Sequence, residues 1–362
     1  DREFTLSVSI IISWLKKMGV VMRTMLFLSS KGIDKLWKTI GISIFVCCSM
    51  VACGGGGDSG SSTSTIGYTG STTPAALSTD NSDILISESF QGAMTSDSMV
   101  PFIAVAAVKQ SNDDKPLLPP IALDMQVAFS NSLSDAIHES QNAQDLSTAR
   151  VVTESNTMDG DCGGTATYNV TYDENSGVFS GNFMYTGFCS GSINLSGSAT
   201  FSGVMDISGG GFDYFSFSFS NLTTTTDGQS NTVNGTLACD FQGSDVIITT
   251  NMVVAQSSSG LVCWLNNYTV QINDNQMEIS GRYYNPIHGY VDFVTTSPLI
   301  ISEFNQFPSD GIVAFSGSVG AGGQQTTAQL IAISSTTCQI TADTDGNGID
   351  DYDTGEILWT EL

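Results

Sequence analysis

From Asp161 onward, apolar and polar positions alternate with a period of two, and they continue to do so almost to the end of the chain. Ala166, Tyr168, Val170 and Tyr172 alternate with Thr165, Thr167, Asn169 and Thr171; Ile193, Leu195, Gly197, Ala199 and Phe201 alternate with Asn194, Ser196, Ser198 and Thr200. Phe215, Phe217 and Phe219 are separated by serines, Val233, Leu237, Cys239 and Phe241 repeat the pattern, and Tyr268, Val270 and Ile272 are followed by Met277, Ile279 and Tyr283. Successive side chains of a strand point to opposite faces, so each run predicts a strand with one dry and one wet face. The breaks carry turn chemistry: Asp173-Glu174-Asn175-Ser176-Gly177, Ser208 to Gly211, Thr226-Asp227-Gly228, Asn273-Asp274-Asn275 and Pro308-Ser309-Asp310-Gly311. Short strands at close spacing with no helical period between them predict an all-β, antiparallel β-sandwich or barrel over residues 158–362. A parallel β-helix is the rival, but no fixed short repeat supports it.

Upstream the period changes. Leu123, Val127, Ala128, Leu133 and Ile137 fall at helical steps within Ile121 to Gln144, and Pro119-Pro120 bar anything earlier from running into that helix. Met99 to Val108 is apolar and small, fitting a short buried helix or strand. Residues 84–157 are therefore expected to form a partly helical segment capping the β domain. Residues 53–83 are rich in Gly, Ser and Thr, which predicts a flexible tether.

The apolar run Thr39 to Ala52 follows Lys31, Lys35 and Lys38, ends in Met50-Val51-Ala52-Cys53, and breaks into four glycines and Asp58. Its length falls short of the roughly 20 residues that a membrane-spanning helix needs. The stretch resembles a bacterial lipoprotein signal peptide with its lipobox. That resemblance implies cleavage before Cys53, acylation of Cys53 and attachment to a membrane. With Gly54 rather than Asp after the cysteine, it implies the Gram-negative outer membrane, on its periplasmic or its outer side. Two or three acyl chains anchor stably, each buried CH2 contributing about 0.8 kcal/mol. Residues 1–52 are thus expected to be a signal peptide, with 1–17 upstream translation and Met18, Met22 or Met25 as the start. A membrane helix over Leu6 to Met25 is disfavoured by Lys16 and Lys17, since each central charge costs about 2.5 to 3.5 kcal/mol on insertion scales.

Removing residues 1–52 takes away seven of 11 basic and three of 36 acidic residues, leaving 4 against 33 and a net charge near −29. Such a surface repels phosphate backbones, so nucleic acid is not an expected partner, whereas cations are. Five cysteines remain: Cys162, Cys189, Cys239, Cys263 and Cys338. An exported chain is in a disulfide-permissive compartment, and the candidate pairs are Cys162 with Cys189 and Cys239 with Cys263, leaving Cys338 over. Spacing alone does not fix that connectivity.

Gly187-Phe188-Cys189-Ser190-Gly191 imitates a nucleophile elbow. That motif requires a strand-to-helix turn and a histidine, and the only histidines are His138 and His288, so the disulfide reading is preferred. No two cysteines or histidines of the mature chain stand at zinc-ligand spacing. No catalytic constellation emerges, and an enzyme is not the expected outcome.

The sharpest chemical motif is Asp343-Thr344-Asp345-Gly346-Asn347-Gly348-Ile349-Asp350-Asp351-Tyr352-Asp353. Oxygen side chains at positions one, three and five, glycine at six, a backbone carbonyl at Ile349 and an acid at Asp351 wrap a short loop around a hard cation such as Ca2+. The run is similar to the calcium loops of thrombospondin type 3 repeats, and more loosely to EF-hand and dockerin loops. The resemblance implies Asp343, Asp345, Asn347, Ile349 and Asp351 as ligands, with Asp353 in place of the acid expected at Thr354. The bidentate twelfth-position Glu of an EF-hand is missing, and Glu356 would have to reach back. A solvated acidic hairpin turn before the last strand is the plain alternative. The Cys-Gly-Gly-Thr start of the β region, Ser280-Gly281-Arg282-Tyr283-Tyr284, Gly289-Tyr290-Val291 and the acidic loop followed by Trp359 also resemble uncharacterised exported lipoproteins of Gram-negative bacteria. That second resemblance implies no activity.

These observations predict a membrane-anchored lipoprotein with a structural Ca2+ and a non-catalytic envelope or ligand-binding role, its partner a glycan or an envelope protein. The rival is a carbohydrate-binding module or glycan-active enzyme. Trp264, Tyr283, Tyr284 and Tyr290 would be a module's platform if exposed, and ordinary packing is the simpler reading of them. Acid pairs suited to a glycosidase arise by chance among so many carboxylates.

Overall fold

The computed structural model describes residues 66–98 and 151–362, apart from 174, 191–192, 206–211, 227–228, 244, 258, 303–304 and 306. Helix α1 (Ser82–Ser98) precedes strands β1 (Val151–Asp159), β2 (Thr165–Asp173), β3 (Val178–Ser190), β4 (Ile193–Met205), β5 (Phe212–Thr226) and β6 (Gln229–Gln242). There follow β7 (Asp245–Gln256), β8 (Val262–Asn273), β9 (Gln276–Asn285), β10 (Gly289–Ser297), β11 (Leu299–Ile300), β12 (Gly311–Val319) and β13 (Gln325–Ala332). Strands β14 (Thr337–Asp343), β15 (Tyr352–Asp353) and β16 (Ile357–Leu358) and a 3-10 turn over Trp359–Glu361 complete the chain.

All the strands belong to one antiparallel sheet whose order follows the sequence from β1 to β10 and then β12, β13, β14 and β15; β11 pairs with β9 and β16 with β14. The sheet does not close into a barrel. The expected antiparallel all-β fold is present, in its open, sandwich-like form.

The alternation read from the sequence is the alternation of burial. On one face Tyr168, Phe179, Phe183, Phe215, Leu237, Ile248, Val270 and Phe315 are buried. On the other, hydroxyls and amides pair across strands, as between Thr223 and Thr232 (2.8 Å) and Ser202 and Ser216 (3.1 Å). Register irregularities recur from strand to strand, at Tyr185/Phe188, Ser196/Ser198, Phe219/Leu222, Thr250/Met252 and Asn266/Thr269. Bulges bend a strand and increase its twist, so this row marks where the neighbouring strands bend together. The bend explains two glycines. Gly197 (φ 109°) and Gly235 (φ 132°) lie in the left-handed region, and a Cβ on either would stand 2.1 Å from a neighbouring carbonyl oxygen.

Helix α1 lies on β7, β8 and β9, burying Leu85, Ile86, Phe90 and Ala93. The C-terminus meets it there: Trp359, 3% exposed, is stacked on Phe90 (5.2 Å) and Phe307 (5.4 Å), and the Ser87 hydroxyl donates to the Leu362 carbonyl. Among the described residues no helix is long and apolar enough to cross a membrane.

Three expectations need correction. The tether does not extend to Asp83. Residues 71–77 lie across the sheet, with Tyr290 N–H donating to Thr73 O (2.9 Å), Ala75 N–H to Tyr290 O (2.8 Å) and Ser318 N–H to Ala75 O (2.7 Å). Ala75 and Leu77 are buried, but two small anchors give no periodicity to read. The partly helical segment does not extend to Thr157 either, because Val151–Asp159 is a strand. The expected helix at Ile121 to Gln144 and the apolar stretch Met99 to Val108 lie outside the described residues.

The third correction concerns the cysteines. Cys162 and Cys189 form a disulfide (Cα to Cα 5.2 Å), whereas Cys239 and Cys263 are not bonded to each other. Cys239 sits opposite Ile248 of β7, and Cys263 opposite Val254 of the same strand. Six residues of strand separate those levels, roughly 20 Å, far beyond disulfide reach. Cys338, the expected leftover, is a buried thiol.

Candidate functional site

The acidic run is the hairpin turn joining β14 to β15. Ala342 pairs with Tyr352, and Asp351 N–H donates to Ala342 O (2.9 Å), which pins both ends of the loop. Inside it Asp343, Asp345 and Asn347 each cap backbone just ahead of themselves. Asp343 is buried and accepts from the amides of Gly346 (2.8 Å) and Asn347 (3.1 Å) on Oδ1 and of Gly348 (2.7 Å) on Oδ2. Asp345 Oδ1 accepts from Asn347 N–H (3.0 Å), and Asn347 Oδ1 from Ile349 N–H (2.8 Å). Gly348 holds φ at 87°, the sharp turn that position six requires.

These bonds set the electrostatics. Burial works to raise the Asp343 carboxyl, but the amides of Gly348, Asn347 and Gly346 outweigh it, and Asp343 ionises below the ordinary carboxylate range. The Gln339 side chain and the Gly355 amide likewise lower Asp353.

The side-chain oxygens of the loop are engaged in its own hydrogen bonds. Asp343, Asp345, Asn347 and the Ile349 carbonyl are an all-oxygen donor set of the kind a hard cation takes, and each carboxylate or amide oxygen bonded to one N–H keeps a lone pair. Asp351, however, is turned to Thr344, accepting its N–H and hydroxyl at 2.9 Å. Asp353 belongs to the strand beyond, accepting from Gln339 Nε2 and Gly355 N–H (both 2.7 Å), and is not a ligand in this arrangement. Among the described residues no three His, Cys, Asp or Glu side chains converge as a metal cage. The chemistry of the donor set is of the kind Ca2+ takes.

The sequence reading missed what supports the loop from outside. The turn between β12 and β13, Gly320 to Gln324, is laid against it, with Gly322 N–H donating to Asp345 O (2.6 Å) and Gln324 N–H to Gly346 O (3.1 Å). A Cβ on Gly320 or Gly322 would collide with those carbonyls at 2.3 and 2.5 Å. The signal was the Gly-Ala-Gly-Gly run itself, since side-chain-free backbone marks close approach.

The four aromatics divide. Tyr283 is on the dry face, its hydroxyl donating to Glu88 of α1 (2.8 Å), and burial pushes its phenol well above the usual range. Trp264, Tyr284 and Tyr290 share the opposite face on adjacent strands and are joined by Tyr68. Trp264 and Tyr284 are stacked at 4.5 Å and 17°, Tyr68 lies 5.9 and 5.5 Å from them, and Tyr290 is 5.2 Å from Tyr284. Arg282 covers Tyr290 at 3.9 Å while holding Asp292 through Nε (2.6 Å) and Nη2 (2.9 Å), which raises its guanidinium pKa. The rings pack against one another and Tyr284 is buried among them, so ordinary packing accounts for the cluster.

The remaining candidates supply no nucleophile. Cys189 is in the disulfide, and burial pushes the Cys263 thiol up to about 11, leaving little thiolate at neutral pH. Cys53 and His138 lie outside the described residues. No family model, curated protein or solved structure matches the chain.

Proposed function

We propose that the chain is an exported protein anchored in the Gram-negative outer membrane through lipid on Cys53, with a structural Ca2+ held in the loop between β14 and β15. Its role is non-catalytic, in the envelope or in binding a glycan or protein ligand through the β sheet. The observation that carries the calcium reading is the buried, amide-bound carboxylate of Asp343 in a loop pinned at both ends. Asp345, Asn347, the Ile349 carbonyl and Asp351 complete the donor set, and Ca2+ would neutralise their mutual repulsion. The role is structural because the loop precedes the segment that places Trp359 against α1.

Thermal unfolding of the full chain in EDTA, then in rising Ca2+ or Mg2+, tests this. A rise in melting temperature selective for Ca2+, lost in Asp343→Ala with Asp345→Ala, is expected. No shift at about millimolar Ca2+, the weak end of the known range, would overturn it and leave a solvated turn. Glycan binding is second, since ordinary packing accounts for the rings around Tyr284.

A further inference from the structure

The two ends of an open sheet expose unpaired backbone, and proteins blunt such edges with short strands, lysine, proline or bulges. At one end this sheet does so, finishing in the two-residue strands β15 and β16. At the other it does not. Strand β1 is nine residues long, contains neither proline nor lysine, and pairs with β2 in unbroken register; among the described residues β2 is its only partner. Val151, 61% exposed, and the exposed Thr153, Ser155, Asn156, Thr157 and Asp159 leave it open to solvent.

The turn fixes which backbone groups face outward. Gly160 N–H donates to Gly164 O (3.0 Å), so that pair is hydrogen-bonded, and by the alternation of antiparallel ladders Asp159, Thr157, Ser155, Thr153 and Val151 are not hydrogen-bonded to β2. Their N–H and C=O groups point to the free edge.

We propose that this edge binds a second copy of the same chain, β1 antiparallel to β1 about a two-fold axis through Ser155. In that register Ser155 faces Ser155, Thr153 faces Thr157, and Val151 faces Asp159. Every outward-pointing residue then meets another, and each such pair exchanges both backbone hydrogen bonds. The sequence agrees: in that register position 154 faces 156 and position 152 faces 158, so no two acidic positions are set opposite each other. The polar face also continues without interruption. Thr153 already meets Thr171 (3.1 Å), Thr157 meets Thr167 (3.2 Å) and Ser155 accepts from Asn169 (2.7 Å), and the hydroxyl rows would run on across the axis. The contact is isologous and closes on itself, which limits association to dimers. Being one strand wide, it is of the weak class, and between two strongly acidic bodies it tightens as salt is raised.

Sedimentation velocity of the full chain in detergent, at rising concentration and at two ionic strengths, tests the proposal together with three variants. Ser155→Pro removes an outward N–H without touching the ladder to β2, and Thr153→Lys with Thr157→Lys sets lysines opposite one another. Each should weaken dimerisation at least tenfold at an unchanged melting temperature. Ser155→Cys should give a covalent dimer on mild oxidation, since facing residues of a ladder lie within disulfide reach. A chain that stays monomeric at every concentration overturns the proposal and leaves a strand from another protein as the occupant. Association undiminished by both the proline and the double lysine variants also overturns it, placing the contact elsewhere.

Discussion

The two ends of this sheet are finished in opposite ways. At the C-terminal end β14 receives two short strands, an amide-capped acidic loop, a glycine-rich turn pressed against that loop, and Trp359 packed between Phe90 and Phe307. At the N-terminal end β1 exposes Val151, Thr153, Ser155, Asn156, Thr157 and Asp159, and it is fastened to β2 by its ladder and followed by a turn that the Cys162–Cys189 disulfide ties to β3. One end is closed by packing and buried polar bonds, and the other adds a covalent link to its packing. Among the described residues helix α1 packs on β7 to β9, and the dry face beside β1 is buried through Tyr168 of β2 and Phe183 of β3. At that end the disulfide adds to the packing, restraining the turn by limiting the unfolded chain rather than by burying surface.

Perturbing each end separately breaks or sharpens this contrast. The largest effect is expected at the closed end, where Trp359→Ala empties a site between two aromatic rings and should cost about 3 to 5 kcal/mol in denaturant unfolding. Thr157→Ala, at the open end, should stay within about 0.5 kcal/mol. Next comes Cys162→Ser with Cys189→Ser, for which the chain-entropy model gives about 3 kcal/mol; the same loss should follow reduction of the wild-type protein. If Trp359→Ala were milder than the disulfide variant, the contrast between the ends would fail. The smallest effect is a pH dependence. Asp343 is lowered in the folded state, so its contribution is complete above the unfolded carboxyl value of about 3.9 and disappears as pH falls through the lower folded value. Melting temperature in that acid range should fall less steeply for Asp343→Asn than for the wild type.

The strands were legible because a one-sided dry face is a local property: Tyr168, Phe217 and Val270 announce it without knowledge of their neighbours. The acidic loop was legible for the same reason, its Asx bonds spanning two to five residues. The second cysteine pair was not. Cys162 and Cys189 are separated by two strand crossings, β2 and β3, which return the chain to the same end of the sheet. Cys239 and Cys263 are separated by only one, β7, which delivers them to opposite ends, although their spacing in sequence is similar. Tyr68 in the aromatic cluster and Gly320 beneath the loop depend on contacts across 196 and 25 residues respectively, measured to Trp264 and Asp345, and no local pattern encodes such distances.

Residues 71–77 have a mechanical consequence. They enter the sheet at β10 and β12, well inside it, through Tyr290 and Ser318. A pull on the N-terminus therefore loads first the bonds of Ile66 to Asn221 and Asn234 and of Tyr68 to Asn285, and then those at β10 and β12. Strand β1 stands outside that load path, so its edge keeps its geometry while the chain is under tension.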